Sequence, residues 1–111
     1  MALRVGINGF GRMGRLVMRA AWDWPDVEFV HINEPAGDCA SLAHLLSFDS
    51  VHGRWRHEAV ADAQGIAVDG RSIGCTHNDG IADTDWSQCD LVLEASGAWN
   101  RREALQAYLD Q

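Results

Sequence analysis

Three glycines near the start of the chain, Gly9, Gly11 and Gly14, have the spacing G-x-G-x-x-G, and an acidic residue, Glu34, follows the third by 20 positions. In this pattern the first glycine makes a tight turn and the second lets the backbone approach a pyrophosphate. The third lets a helix pack closely on a strand, while the acid accepts hydrogen bonds from a ribose. These residues therefore predict that main-chain amides and one carboxylate bind a dinucleotide.

The segments around the glycines provide the context that this chemistry needs. An apolar run at residues 3–7 precedes the first glycine, an amphipathic helix pattern follows the third, and a second apolar run at residues 27–32 leads to Glu34. A helix that begins at the turn directs free N–H groups and the positive end of its dipole at the phosphates, so no lysine is needed. A glycine-rich turn that only closes a strand–helix unit is the alternative interpretation.

Turn residues divide the first half of the chain into elements. Trp24-Pro25-Asp26 predicts the end of the first helix, and the β-branched run after it predicts a second strand. Asp38 is a candidate cap for a second helix over residues 39–48, where Leu42, Leu45 and Leu46 have helical spacing.

The second half predicts short strands and a last helix. Residues 57–62 and 66–68 form a candidate hairpin around Gln64-Gly65, and Asp69-Gly70 predicts a further turn before a strand at residues 71–76. The apolar run 90–95 is typical of a strand buried on both faces of a parallel sheet, and residues 101–109 predict a helix begun by Asn100. The fold class expected is α/β, a Rossmann-type doubly wound, mostly parallel sheet with a small β-hairpin insertion, in one domain over residues 1–111.

Composition excludes several classes of function. With 111 residues and a net charge of −7, the chain is one domain without a basic surface for nucleic acid. No apolar stretch approaches the roughly 20 residues that span a bilayer, and no secretory signal is present, so we expect a cytoplasmic protein without a membrane partner. Three irregularly spaced cysteines favour a reducing compartment, and without a CxxC pair we expect no metal site.

Four motifs occur in the order of a known family. They are Arg-Val-Gly-Ile-Asn-Gly-Phe-Gly-Arg-Met-Gly-Arg at residues 4–15, Asn-Glu-Pro at 33–35, Phe-Asp-Ser-Val-His-Gly at 48–53 and Glu-Ala-Ser-Gly-Ala-Trp at 94–99. Together they resemble the N-terminal NAD-binding half of phosphorylating glyceraldehyde-3-phosphate dehydrogenase. Within this family, the segments around 33–37 and 51–55 are closer to the branch associated with arsenate resistance.

The resemblance implies where the cofactor binds. Arg12 and Met13 would lie over the pyrophosphate, and Glu34 would hold the adenosine ribose and repel a 2′-phosphate, which favours NAD over NADP. Asn78 stands where the family often has an arginine near the adenine, and the 94–99 turn would close around the nicotinamide-side ribose. The cofactor-binding set so implied is Asn8, Gly9, Gly11, Arg12, Met13, Gly14, Asn33, Glu34, Asn78, Ser96, Gly97 and Trp99.

The resemblance also implies an enzyme reaction whose catalytic residues are not in these 111 residues. The family oxidises a phosphorylated aldehyde through a cysteine thioester and passes hydride to NAD, and its Ser-Cys-Thr-Thr-Asn nucleophile motif is missing here. We therefore expect no catalytic residue in this chain, which would be inactive alone and part of a longer, homo-oligomeric dehydrogenase. Alternatives are a non-catalytic nucleotide-binding module, a truncated product, or an unrelated oxidoreductase with the same glycine turn.

Cysteine and histidine residues are further candidates for catalytic or binding roles. Cys75 and His77 lie two apart on a strand and so share a face, but a small apolar cysteine beside a surface histidine is favoured over a nucleophile pair. His31 is interpreted as structural in preference to an adenine contact, and His52 is expected to make a hydrogen bond that fixes a turn.

Overall fold

The computed structural model describes residues 2–96, 108, 109 and 111, and in these it has two α-helices and eight strands. The helices are α1 (Arg12–Ala21) and α2 (Cys39–Ser47). The strands are β1 (Leu3–Asn8), β2 (Val27–Asn33), β3 (Phe48–Asp49), β4 (Gly53–Arg54), β5 (Ala59–Ala61), β6 (Gly65–Val68), β7 (Arg71–Thr76) and β8 (Leu91–Glu94).

The main sheet has six strands in the order β5-β6-β7-β2-β1-β8. β7, β2, β1 and β8 are parallel, and β5, β6 and β7 form an antiparallel meander at one edge. The predicted Rossmann-type, mostly parallel sheet with a hairpin insertion is therefore confirmed.

Alternation along β1 explains how the sheet is covered. Val5 and Ile7 point into the apolar core, which they share with Met18 of α1 and Leu46 of α2. Gly6 points to the opposite face, where an added Cβ would lie 2.7 Å from Cys89 Sγ and 2.8 Å from the Trp86 ring. The residues before β8 thus cover the second face so closely that only glycine fits beneath them.

Local hydrogen bonds explain where α2 begins and where α1 ends. α2 begins where predicted because the Asp38 side chain accepts a hydrogen bond from the Ser41 amide at 2.8 Å. α1 ends at Ala21, earlier than the predicted Trp24-Pro25 pair, because the chain already turns there and Trp24 N–H donates to the Ala21 carbonyl.

The hairpin and turns of the middle segment are confirmed, and one small sheet was not predicted. β5 pairs with β6 and β6 with β7, with both Asp69 and Gly70 at positive φ in the second turn. β3 and β4 form a separate antiparallel pair. In its turn, the Asp49 carboxylate accepts hydrogen bonds from the Val51 and His52 amides, so His52 takes part through its backbone.

The prediction that residues 90–95 are buried on both faces of the sheet is wrong. β8 is the edge strand of the described sheet and pairs with β1, and Leu91 is 50% exposed. An apolar run alone cannot distinguish a central strand from an edge strand. Of the predicted last helix, residues 108 and 109 are helical and 101–107 lie outside the described residues. Within the described part of the chain, neither helix is long and apolar enough to cross a membrane.

Candidate functional site: the glycine turn at the ends of three strands

Gly9 forms the tight turn after β1. Its φ is +96°, a backbone conformation that favours glycine, and an added Cβ would lie 2.3 Å from the Ser96 nitrogen. Its own N–H donates to the Asn33 carbonyl at 2.8 Å. The turn is therefore held between the last residue of β2 and the residues that follow β8.

Gly14 allows α1 to pack on β1. A Cβ there would lie 2.5 Å from the Gly9 carbonyl oxygen and 3.0 Å from Ile7 Cγ2. Because both neighbours belong to the strand and its turn, a side chain would push the helix outward. The geometry matches the predicted role of the third glycine.

Gly11 is different, because no packing demands a glycine there. It is the N-cap residue of α1 at φ −75°, makes no side-chain cap, and a Cβ would have no heavy atom within 4 Å. The first amides of any α-helix have no acceptor within the helix. The space beside the first amides of α1 is therefore open at Gly11, and free amides at the beginning of a helix are able to bind an anion.

Strand register places the predicted site residues at one edge of the sheet. Asn8 at the end of β1 pairs with Asn33 of β2 on one side and Glu94 of β8 on the other. Neighbouring strands lie about 4.8 Å apart, so the residues that follow all three strands meet at this edge. Here the strand order reverses, which is where ligands bind in open α/β sheets.

Two buried asparagines brace this edge. Asn8 and Asn33 are 4% and 2% exposed, and the Asn33 side-chain amide donates to Asn8 Oδ1 at 3.0 Å. Asn33 Oδ1 accepts from the Thr76 hydroxyl, the Asn78 amide and the Thr84 hydroxyl. Asn33 therefore connects β1, β2 and the segment after β7. Sequence analysis missed the two threonines because the contacts are distant in sequence.

Glu34 stands at the start of the loop after β2. One carboxylate oxygen accepts a hydrogen bond from the Ala36 amide at 3.0 Å, which orients the group. A carboxylate has about four lone-pair sites, so this bond leaves capacity for a ribose diol. The Glu34 amide donates to the Thr76 carbonyl at 2.9 Å and fixes the backbone next to β7.

Arg12 and Met13 open α1. The Arg12 guanidinium forms two hydrogen bonds with Asp49, at 3.1 and 3.3 Å, and this contact holds the pKa of Asp49 well below its usual range. Met13 is 66% exposed. The Arg12 side chain is thus tied to the β3–β4 turn, which sequence analysis did not foresee.

Asn78 and Ser96 lie on opposite sides of β1, Asn78 after β7 and Ser96 after β8. The Asn78 side-chain amide donates to the Asp83 carbonyl and Thr84 Oγ1, both at 2.9 Å, so it shapes the loop after β7. Ser96 is exposed, and its amide and hydroxyl donate to the Glu94 carboxylate. Gly97 and Trp99 lie outside the described residues.

Cys75 and His77 do come close, as their shared face predicted, and Cys39 joins them. His77 Nε2 lies 4.0 Å from Cys75 Sγ and 3.7 Å from Cys39 Sγ. Burial, together with the neighbouring Cys39 thiol, raises the pKa of Cys75 to about 12. Cys75 is therefore a protonated thiol near neutral pH, which is opposite to an activated nucleophile.

His31 has a structural environment. Its Nε2 lies 3.0 Å from Thr76 Oγ1, and its ring meets the Trp86 ring edge to face. Burial lowers the pKa of His31, so the ring is neutral near pH 7.

Comparison with known proteins identifies the family of the chain. The family model described as "Glyceraldehyde 3-phosphate dehydrogenase, NAD binding domain" matches residues 3–102. Glyceraldehyde-3-phosphate dehydrogenase 3 of Nostoc sp. is 51% identical over 97% of this chain. The enzymes of Heyndrickxia coagulans and Yarrowia lipolytica are 41% and 38% identical over 99% and 98% of it.

The chain spans about a third of the length of these curated relatives, 33% in each case. The matched region contains the glycine turn, Glu34 and β8, which meet at the sheet edge described above. The chain belongs to the NAD-binding domain family of glyceraldehyde 3-phosphate dehydrogenase, and its cofactor is NAD.

Proposed function

We propose that this chain is the NAD-binding part of a phosphorylating glyceraldehyde-3-phosphate dehydrogenase, in which a phosphorylated aldehyde is oxidised as hydride passes to NAD. The observation that carries the proposal is the common edge at which β1, β2 and β8 end, with Gly9 and the open Gly11 position between Glu34 and Ser96. Bound NAD would supply the hydride acceptor.

The register suggests how the dinucleotide lies. The pyrophosphate would face the first amides of α1, above Gly11, where the backbone meets its charge without a lysine. The adenosine ribose would lie on the β2 side at Glu34. The nicotinamide half would extend across β1 toward Ser96, with Gly97 and Trp99 completing that side.

In this proposal the asparagines mainly hold the backbone of the site in place. Asn8 and Asn33 are buried and bonded to each other, so they hold the strand ends in register beneath the cofactor. Asn78, whose amide is bonded to the loop after β7, sets the wall near the adenine. Arg12 contributes its main-chain amide while Asp49 fixes its guanidinium.

Glu34 provides the selectivity for NAD over NADP. A carboxylate beside the ribose accepts hydrogen bonds from both hydroxyls of NAD, and it repels the 2′-phosphate of NADP. Since Glu34 is oriented by the Ala36 amide, the repulsion acts at a fixed place.

The test is calorimetry of NAD and NADP binding to the chain and to Glu34→Ala. Each hydrogen bond to a charged group contributes about 1.5–3 kcal/mol, so NAD affinity should fall by at least on the order of tenfold, while discrimination against NADP relaxes. Glu58→Ala is the matched control, because Glu58 is an exposed acid on the hairpin side of the chain. Unchanged affinity and preference in Glu34→Ala would remove the ribose role.

The remaining features of the proposal concern the whole protein. A phosphorylated aldehyde as substrate, a homo-oligomer and a cytoplasmic location follow the family, as does phosphate as the acceptor anion. Arsenate as the acceptor stays a prediction from sequence similarity. A reading frame that continues past Gln111 into a Ser-Cys-Thr-Thr-Asn motif would favour the dehydrogenase over a non-catalytic nucleotide-binding module.

A further inference from the structure

Two thiols and one imidazole converge beside the adenosine side of the cleft. Cys39 is the first residue of α2, Cys75 lies near the end of β7, and His77 follows that strand. One ligand atom from each lies within 4.8 Å of the other two. The cluster is separate from the glycine turn and has no part in the proposed binding of NAD.

The distances match metal coordination. A tetrahedral zinc ion with Zn–S near 2.3 Å and Zn–N near 2.0–2.1 Å places its sulfur and nitrogen ligands about 3.6 Å apart. His77 Nε2 lies 3.7 Å from Cys39 Sγ and 4.0 Å from Cys75 Sγ. Shifts of a few tenths of an ångström would bring both nitrogen–sulfur separations to the tetrahedral value, and the two sulfurs lie within 4.8 Å of each other.

The histidine presents the correct nitrogen. His77 Nδ1 lies 3.0 Å from the Glu34 carbonyl oxygen, and a carbonyl can only accept, so the proton is on Nδ1. In the tautomer with this proton, Nε2 carries the lone pair, and it is the ring nitrogen that lies near the two sulfurs. A backbone carbonyl on the second nitrogen is the usual outer partner of a metal-bound histidine.

Each ligand is held by its own element. The Asp38 cap fixes the beginning of α2 at Cys39. Cys75 pairs with Ile32 in the parallel sheet, and both cysteine side chains pack against the apolar core. His77 is exposed, so a fourth position would face solvent.

We propose that Cys39, Cys75 and His77 form a binding site for a thiolate-preferring divalent metal ion, Zn²⁺, with water as the fourth ligand. Two sulfurs and one imidazole are the donor set that favours zinc over magnesium or calcium, which take oxygen ligands. On binding, each thiol releases its proton to solvent and the sulfur forms one bond to the metal, with no change of oxidation state.

The test is titration of the reduced, metal-free chain with Co²⁺ as a spectroscopic probe, followed by displacement with Zn²⁺. One equivalent should produce a sulfur-to-cobalt charge-transfer band and the strong visible bands of a tetrahedral ion, and Zn²⁺ should abolish both. Cys39→Ser and Cys75→Ser should each weaken the charge-transfer band and lower the affinity by at least about 10–100-fold, the loss seen even for outer-shell partners.

Cys89→Ser is the matched control, because Cys89 is a half-buried thiol that lies against Gly6, on the face of the sheet opposite the apolar core. It should bind cobalt as the unaltered chain does. His77→Ala changes an exposed side chain, so it should lose the visible bands with an unchanged far-ultraviolet circular dichroism spectrum. Absence of a charge-transfer band, or equal loss in Cys89→Ser and Cys75→Ser, would overturn the proposal.

Discussion

The turn at Gly9 should be sensitive to a single methyl group for two separable reasons. Gly9→Ala places a Cβ on a residue with φ +96° and 2.3 Å from the Ser96 nitrogen. The left-handed backbone costs about 1–2 kcal/mol, and overpacking a close contact costs a further 1–3 kcal/mol. Because the neighbour is backbone, it cannot rotate away. The free energy of unfolding should therefore fall by about 2–5 kcal/mol.

Gly53→Ala separates the two contributions. Gly53 has φ +73°, and an added Cβ there would have no heavy atom within 4 Å, so only the backbone term applies. Urea unfolding followed by tryptophan fluorescence measures both variants, because Trp22, Trp55 and Trp86 are buried. Equal losses in Gly9→Ala and Gly53→Ala would refute the close approach of the β8 end to the glycine turn.

Three further results are expected. Gly11→Ala should change the free energy of unfolding by less than about 1 kcal/mol, because the added Cβ meets no protein atom. It should weaken NAD binding in calorimetry, because the Cβ enters the space assigned to the pyrophosphate; unaltered binding would place the phosphates elsewhere. Hydrogen bonds to Asp69 and then Asp23 raise the pKa of His57, and both aspartates have lowered pKa values. The raised pKa of His57 stabilises the folded chain fully below the ordinary histidine pKa near 6.5, and this stabilisation is lost as pH rises through the pKa of His57 in the folded chain. The lowered pKa values of the two aspartates stabilise it fully above the ordinary aspartate pKa of about 3.9, and this stabilisation is lost as pH falls through their folded pKa values. Melting temperatures of the chain and of His57→Gln should thus differ most between about pH 4 and 6.5, and a pH-independent difference would contradict the assignment. Purified chain should show no aldehyde-dependent formation of NADH by absorbance, and turnover that disappears in Cys75→Ser would overturn this.

Local patterns were sufficient for much of the fold. An apolar run predicted β1 and β-branched residues predicted β2. Asp38 predicted the start of α2, and Asp69-Gly70 predicted the turn between β6 and β7. These features depend on neighbours in sequence, which the residues themselves reveal. The glycine spacing predicted the tight turn at Gly9 and the close packing of α1 at Gly14 for the same reason, because each glycine has a defined place relative to a strand end.

Burial depended on tertiary packing. Leu45 has the same helical spacing as Leu42 and Leu46 but is 43% exposed, because α2 turns only part of its surface to the sheet. β8 is as apolar as a central strand, but in the described sheet it pairs only with β1, and this pairing puts it at the edge.

The sequence by itself was sufficient to predict a dinucleotide-binding domain, because the glycine turn, the helix after it and Glu34 are close along the chain or follow adjacent predicted strands. Tertiary structure alone decided which distant groups meet. Parallel register brings Asn8 beside Asn33 and Glu94, and packing of α2 next to the end of β7 brings Cys39 to Cys75 and His77. Spacing along a chain does not report such contacts, because they depend on how whole elements pack.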